Sequence, residues 1–309
     1  MEVEKLADFW LAQIVGVGPV GRQILEGIFG DVVTLFLSSA EEVCLRMKKE
    51  AISSIINSKK KRPEKSDQKP EQKKRKKPYR IPANVIERLA DPASRTGIAE
   101  EFLRTQKQDI LFIRKKDPLY PPRLRQIPGP PEQLFVIGRL PDPEQKMIGI
   151  VGARNCTPYG RDMARLFGYR LAQAGMGVIS GMAKGVDGWA HRGALEAGGD
   201  TFAVLGCGVE VCYPPCNQKL YSEIKERGGV LSEYPTTYSA LAQNFPMRNR
   251  IVSGLSDGIL VVEARIRSGS LITADTALDQ GKDVFVIPGR IGDELSVGCN
   301  RLIRQGAIP

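Results

Sequence analysis

From Met147 onward the chain alternates short apolar runs with longer stretches in which apolar residues recur every three or four positions. The runs are MIGIVG, GVISG, TFAVLG, GGVLSE, GILVVE and DVFVIPG. Short runs rich in Val and Ile, apolar without alternation, fit strands covered on both faces, and the amphipathic stretches between them fit crossover helices. Over 161–174, for example, Met163, Leu166, Phe167, Leu171 and Ala174 fall on one helical stripe that would rest on the sheet. The pattern predicts an α/β domain over 118–309 built on a Rossmann-like parallel sheet. In such sheets ligands bind beyond the carboxyl ends of the strands, so the residues after each run are the ones to read for chemistry.

Ahead of this domain the pattern changes twice. Residues 1–57 carry helical apolar rhythms broken by the turn GVGPVG, with Ser38 or Ser39 placed to cap the helix that follows. This predicts a small helical domain in which a glycine turn joins two helices, as in a helix-hairpin-helix, where backbone N–H groups at a helix start can hold a phosphate. Residues 81–117 read as a helical continuation and connector, helical over 83–106 and then leading toward short strands around a proline-rich loop.

Between them, charge takes over from hydropathy. The net charge is +10, and the segment KKKRPEKSDQKPEQKKRKKPYR from Lys59 to Arg80 holds twelve Lys or Arg against three acids, so it accounts for nearly all of the excess. With no apolar residue before Tyr79 it cannot offset the entropy of ordering, and 58–80 reads as a basic disordered linker able to touch polyanions without choosing among them. The start of the chain lacks the basic and apolar regions of a secretory signal, and no run reaches the roughly 18 apolar residues of a membrane span. Six cysteines in 309 residues read as free thiols. A cytoplasmic location is expected.

The strand ends carry basic and hydroxyl residues. Arg154 follows the first run, and Ser180, Gly181 and Lys184 follow the second. Phe245, Arg248, Asn249 and Arg250 precede the fifth, and Ser268, Gly269 and Ser270 open the helix after it. Helix starts attract phosphate, so this coincidence points to a track for several phosphates. A dinucleotide is a poor fit: after Gly149 and Gly152 comes Ala153-Arg154-Asn155 rather than a completed G-x-G-x-x-G, and the second run closes on Ser180-Gly181 without an acid. No cofactor is expected. His191, the only histidine, has no nucleophile paired with it; Cys207, Cys212 and Cys216 lack the spacing and fourth ligand of a zinc site. Glu263 reads as a carboxylate that positions neighbouring arginines. No catalytic or metal-binding residue is assigned.

The motifs VGARNCTPYG, SGMAKGVDGWAH, AVLGCGVEVCYPPCNQKLY, FPMRNRIVSGLSDGILVVEA, RSGSLITADTAL, DVFVIPG and GCNRLIRQGA occur in this order between about Pro118 and Ala307. In this the chain resembles the DNA-processing protein A family, also called Smf. The resemblance implies an extended Rossmann core, a sterile-alpha-motif-like helical domain in front, homodimerisation, binding and protection of incoming single-stranded DNA in natural transformation, and loading of the RecA recombinase. Carried over motif by motif, the implied DNA contacts are Arg154, Ser180, Gly181, Lys184, Phe245, Arg248, Asn249, Arg250, Ser268, Gly269 and Ser270; loops at a sheet edge can also admit unstacked bases, for which Phe245 or Tyr159 offers a stacking surface. The basic linker is outside the family pattern, and many members continue into a winged-helix domain beyond the point where this sequence stops. The rival reading is a nucleotide-processing hydrolase of the phosphoribohydrolase type; against it, the region matching that group's PGGxGTxxE loop reads VVEARIRSGSLITAD, without the loop's glutamate.

Overall fold

The computed structural model describes residues 3–60 and 79–309. The chain divides into two compact units, Met1–Arg104 and Thr105–Pro309. Residues 61–78 of the expected linker lie outside the described residues, while 58–60 form the end of a helix.

The first unit contains α1 (Val3–Gln13), α2 (Pro19–Phe29), α3 (Val32–Leu37), α4 (Ala40–Lys60), α5 (Ala83–Ala90) and most of α6 (Ile98–Lys107). Phe9, Trp10, Leu25, Leu35 and Leu89 form its buried interior. The Trp10 indole donates to Ser94 Oγ at 3.0 Å, and Arg95 lies 5.0 Å from its ring. Of the two serines expected to cap α4, Ser39 does so, accepting from the Glu42 N–H at 3.2 Å. The GVGPVG turn is tied to the helices around it: Arg22 pairs with buried Asp8 at 2.6 Å and with Glu26 at 2.8 Å, and the Tyr79 hydroxyl donates to the Gly16 carbonyl at 3.3 Å.

The second unit is a single eight-stranded sheet. Its strands are β1 (Ile110–Arg114), β2 (Gln133–Gly138), β3 (Met147–Val151), β4 (Gly177–Ser180), β5 (Thr201–Val204), β6 (Gly229–Ser232), β7 (Gly258–Val261) and β8 (Asp283–Val286), in the order β1-β2-β6-β5-β4-β3-β7-β8. All six apolar runs are strands of a parallel sheet. β1 and β2 extend it as antiparallel strands beside β6, so residues read as a connector before 118 supply a strand of the sheet. The pairing of Ile110–Arg114 with β2, through backbone hydrogen bonds, carries the unit back to Thr105.

The helices of this unit are α7 (Pro122–Arg125), α8 (Pro158–Gln173), α9 (Val186–Glu196), α10 (Gln218–Arg227), α11 (Asn244–Leu255), α12 (Gly269–Asp279) and α13 (Val297–Arg304). Side chains from α8 and α9 share one core with Ile150, Val178 and Leu260, whereas those of α11, α12 and α13 share another with Met147, Val151 and Val261. Alternate residues of β3 thus feed opposite cores, as expected of a strand with helices on both faces.

Helix α8 departs from the expected stripe. Its buried line is Gly160, Ala164, Gly168 and Ala172; Met163, Phe167 and Leu171 are only partly buried, and Leu166 is exposed. Small residues every four positions let α8 and α9 approach backbone to backbone, and a side chain at Gly168 or Gly193 would collide with the facing helix.

Strand order positions the site. The parallel strands step outward from β3 through β4, β5 and β6 on one side, then resume at β7 and β8 on the other. The helices following β3 and β7 therefore cover opposite faces, leaving a crevice between the carboxyl ends of those two strands.

Candidate nucleic-acid interface

The crevice is an open cleft of about 340 Å³. The loop after β3 supplies Gly152, Ala153 and Arg154; the loop after β4 supplies Ala183; α11 supplies Phe245, Arg248 and Asn249; and the start of α12 supplies Ser268, Gly269 and Ser270. Exposed Lys184 stands beside Ala183 at its rim. The β3 and β4 loops meet at Gly185, whose φ is +76°. A side chain there would be strained and would strike the carbonyl oxygens of Ala153 and Arg154.

Arg154 is exposed and has its guanidinium 5.2 Å from the centre of the Phe245 ring. Phe245 pairs in turn with Tyr213, ring centres 5.4 Å apart and planes inclined by 34°. Tyr213 lies far from the other site residues in sequence and follows no strand directly, so sequence reasoning did not single it out. Its half-exposed ring beside Phe245 is the only sign of it. Tyr159, the other expected stacking surface, is exposed and donates to the Pro288 carbonyl at 3.3 Å.

The start of α12 is open. No side chain caps it, and the Gly269 and Ser270 N–H groups have no partner among the described residues. Ser268 and Ser270 hydroxyls lie 2.6 Å apart, and the Asn249 amide donates to the Gly269 carbonyl at 3.4 Å. A side chain added at Gly269 would meet nothing within 4 Å. Unpaired donors and the positive end of the helix dipole therefore face the cleft.

Not every expected contact lies at this surface. Ser180 is fully buried and donates to the Ile150 carbonyl at 2.6 Å. Arg248 lines the cleft but is itself nearly buried, 6.0 Å from the centre of the Phe245 ring: its guanidinium donates to the carbonyls of Gly181 (2.9 Å) and Val204, and Gly181 has no side chain because that space is filled by Arg248. Burial pushes the Arg248 guanidinium below its ordinary range, with Asp187 opposing that shift. Burial likewise pushes the Asp187 carboxyl up, opposed by Arg248 and by hydrogen bonds from the N–H groups of Ala183 and Gly181. These groups brace the ends of β4 and β5 from within. Arg250 is also held by the protein, pairing with Glu233 at 2.5 Å with both side chains mostly covered. The structure thus gathers Arg154, Phe245, Arg248, Asn249, Ser268, Gly269 and Ser270 along one cleft with Lys184 at its edge, Arg248 being the one held by protein carbonyls. It puts Ser180, Gly181 and Arg250 behind that surface: Ser180 donates to a strand carbonyl, Gly181 makes room for Arg248, and Arg250 pairs with Glu233, although its Nη1 has no hydrogen-bond partner among the described residues.

Glu263 takes a different part from the one expected. Its carboxylate accepts from the Thr157 N–H at 2.9 Å and from the Thr157 hydroxyl at 2.5 Å, and that hydroxyl caps α8 by accepting from the Gly160 N–H. It ties the β3 loop to the end of β7 rather than orienting arginines, because Thr157 reaches it first. Asp187, which lines the cleft, holds two backbone N–H groups and is engaged as well.

His191 is fully buried, its Nδ1 2.6 Å from the Thr201 hydroxyl, which donates to the Val178 carbonyl. Burial pushes its pKa down to about 3. In the unfolded chain the imidazole titrates near 6.5, so below that pH the unfolded state takes up a proton that the folded state refuses. Stability is therefore lost as pH falls from about 6.5 toward 3, and His191 alone accounts for roughly 3 kcal/mol at pH 4.5. In urea titrations at pH 7 and 4.5, His191→Gln is expected to lose less stability on acidification than the parent by about that amount. An equal loss in both proteins would refute it.

Cys207 is buried, which pushes its thiol up to about 11, and it donates to the Val211 carbonyl. Among the described residues no cluster of His, Cys, Asp and Glu is arranged to hold a metal ion, and no helix is long and apolar enough to cross a membrane.

Residues 111–309 match the family model described as DNA recombination-mediator protein A. The chain belongs to that family. Protein Smf of Escherichia coli K12 is 47% identical to it over 215 residues, which are 69% of this chain and 58% of that protein, so the chain spans little more than half of that relative's length. Among solved structures, DNA processing protein A from Streptococcus pneumoniae superposes with a TM-score of 0.63 at 37% identity, covering 73% of this chain and 81% of that one. The Helicobacter pylori DNA processing protein A, solved to describe its single-stranded DNA binding mode, superposes with a TM-score of 0.58 at 30% identity, covering 65% and 89%. The family match begins within β1, so it takes in the antiparallel extension of the sheet as well as its parallel part.

Proposed function

We propose that the protein binds single-stranded DNA, with little regard to sequence, in the cleft between β3 and β7. One observation carries this: the uncapped start of α12 opens onto the same crevice as Arg154 and Phe245, whose ring is backed by Tyr213. Donors at the helix start suit a phosphate, the two cations suit its neighbours, and the aromatic pair offers a face to an unstacked base. A duplex keeps its bases stacked and cannot use that face. The single-strand binding described for the Helicobacter relative supports the same reading. Ser180, Gly181, Arg248 and Arg250 act in it by holding the loops in place.

The proposal extends to the family's wider role: a homodimeric cytoplasmic protein that protects incoming strands in natural transformation and helps to load the RecA recombinase. Sedimentation with and without oligothymidine, and RecA filament assembly on strands coated by single-strand-binding protein, test those two parts separately.

The cleft is tested by fluorescence anisotropy with labelled oligothymidine and a blunt duplex of equal length, which should bind distinctly less well; equal affinities would overturn the proposal. A sharper test is Gly269→Asp. The added carboxylate has room and complements the helix dipole, so thermal stability should hold or rise by about 0.3–1 kcal/mol. The same carboxylate occupies the phosphate position, and affinity for oligothymidine should fall about tenfold or more. Unchanged affinity in a folded Gly269→Asp protein would remove α12 from the site.

A further inference from the structure

Next to the cleft lies a second groove, of about 400 Å³, between α8 and α9. Trp189 forms part of its wall together with Arg165, Arg192, Gly185 and Gly188. The tryptophan is half-buried, with the Arg192 guanidinium 5.8 Å and that of Arg161 5.9 Å from its ring. Two carboxylates temper this charge: Asp162 pairs with Arg161 at 2.8 Å and Glu196 with Arg165 at 2.6 Å. Arg192 and Lys184 have no ion pair among the described residues, and within the groove Arg165 and Arg192 outnumber Glu196, although Arg192 and Glu196 also line a neighbouring pocket with Glu223 and Glu226.

The groove and the cleft are served by the same stretch of chain. Ala183 and Asp187 line the cleft, Gly185 and Gly188 line the groove, and Lys184 stands between. At this point Gly185 also touches the loop that carries Arg154. A strand leaving the cleft past Arg154 and Lys184 thus arrives at an indole flanked by guanidinium groups. That combination of π-face and cations is the one that holds single strands by stacking and phosphate contact.

We infer that the groove at Trp189 is a second subsite for single-stranded DNA, taking a base on the indole and the adjoining phosphates on Arg192 and Lys184, several nucleotides from the cleft. This rests on the cleft reading above, and the two separate by oligonucleotide length. A strand of about six nucleotides can fill the cleft alone, whereas one of about twenty reaches both subsites.

The protein has two tryptophans, and Trp10 is buried in the first unit, so Trp189 is the one open to DNA. The experiment follows tryptophan emission and the anisotropy of labelled oligothymidine in the full chain and in Trp189→Ala and Arg192→Glu. The long strand should quench emission and the short strand, at saturation, should not. Trp189→Ala should abolish the quench and weaken the long strand about tenfold, the scale of one stacked base, with the short strand bound as before. Arg192→Glu, which keeps the indole, should weaken the long strand in the same selective way. If the long strand binds without quenching, or both variants keep the parental ratio of long to short affinity, the groove is no DNA subsite and the cleft reading stands. If no single strand binds, both readings fail.

Discussion

Reversing Arg154 and Lys184 together, to Glu, is expected to lower affinity for oligothymidine by on the order of a hundredfold at moderate salt while leaving the fold intact. Both side chains are exposed and make no ion pair among the described residues; Arg154 does add to the field at buried Asp187, but Arg248 and the Gly181 and Ala183 N–H groups still hold that carboxylate when Arg154 is replaced. Each lost cation removes a phosphate contact and each new carboxylate repels the strand. The Arg154 change also takes the guanidinium off the Phe245 ring, where it helps to shape the surface for a base. The basic segment from Lys59 to Arg80 is unaffected, so residual binding at low salt should persist without preference for single strands. A salt titration on matched single- and double-stranded oligonucleotides reads both effects. A double variant that retains its preference for single strands would show that the cleft does not choose between them.

Arg248→Ala is expected to act oppositely, costing about 3–5 kcal/mol of folding stability. It strips the hydrogen bonds from the Gly181 and Val204 carbonyls and leaves Asp187 buried without its cation. Arg250→Glu should also destabilise, because it would put a second carboxylate against Glu233. Replacing both members of that pair with Gln should cost less than reversing Arg250 alone, since no like charges are then forced together. Urea unfolding of these variants beside Arg154→Glu/Lys184→Glu checks the contrast. If Arg248→Ala were as stable as the parent yet poor at binding DNA, Arg248 would be a contact after all.

The chain itself carried much of the architecture. Six Val- and Ile-rich runs without alternation can be satisfied only by strands covered on both faces, and the spacing between them leaves room for crossover helices, so the parallel sheet followed from local pattern. The two-stranded extension was harder to read. ILFIR pairs with QLFVIG, and QLFVIG joins the sheet only through β6, about a hundred residues away. The stripe of α8 was misjudged because periodicity ranks large apolar residues first, whereas close helix packing buries the small ones.

At the site, sequence by itself determined which residue types would collect at the carboxyl ends of the strands: arginines, a lysine, serines, and glycines where loops meet. Only the tertiary structure decided which of them face outward. Arg154 and Arg248 look alike in the chain and both lie against Phe245, but one is exposed while the other is buried on carbonyls 44 and 67 residues away. Strand order was also beyond local reading, and with it the position of the crevice between β3 and β7. The physical reason is the same in each case. Burial and pairing of a polar group are set by whatever the fold brings against it, and those neighbours come from distant segments whose approach no local spacing encodes.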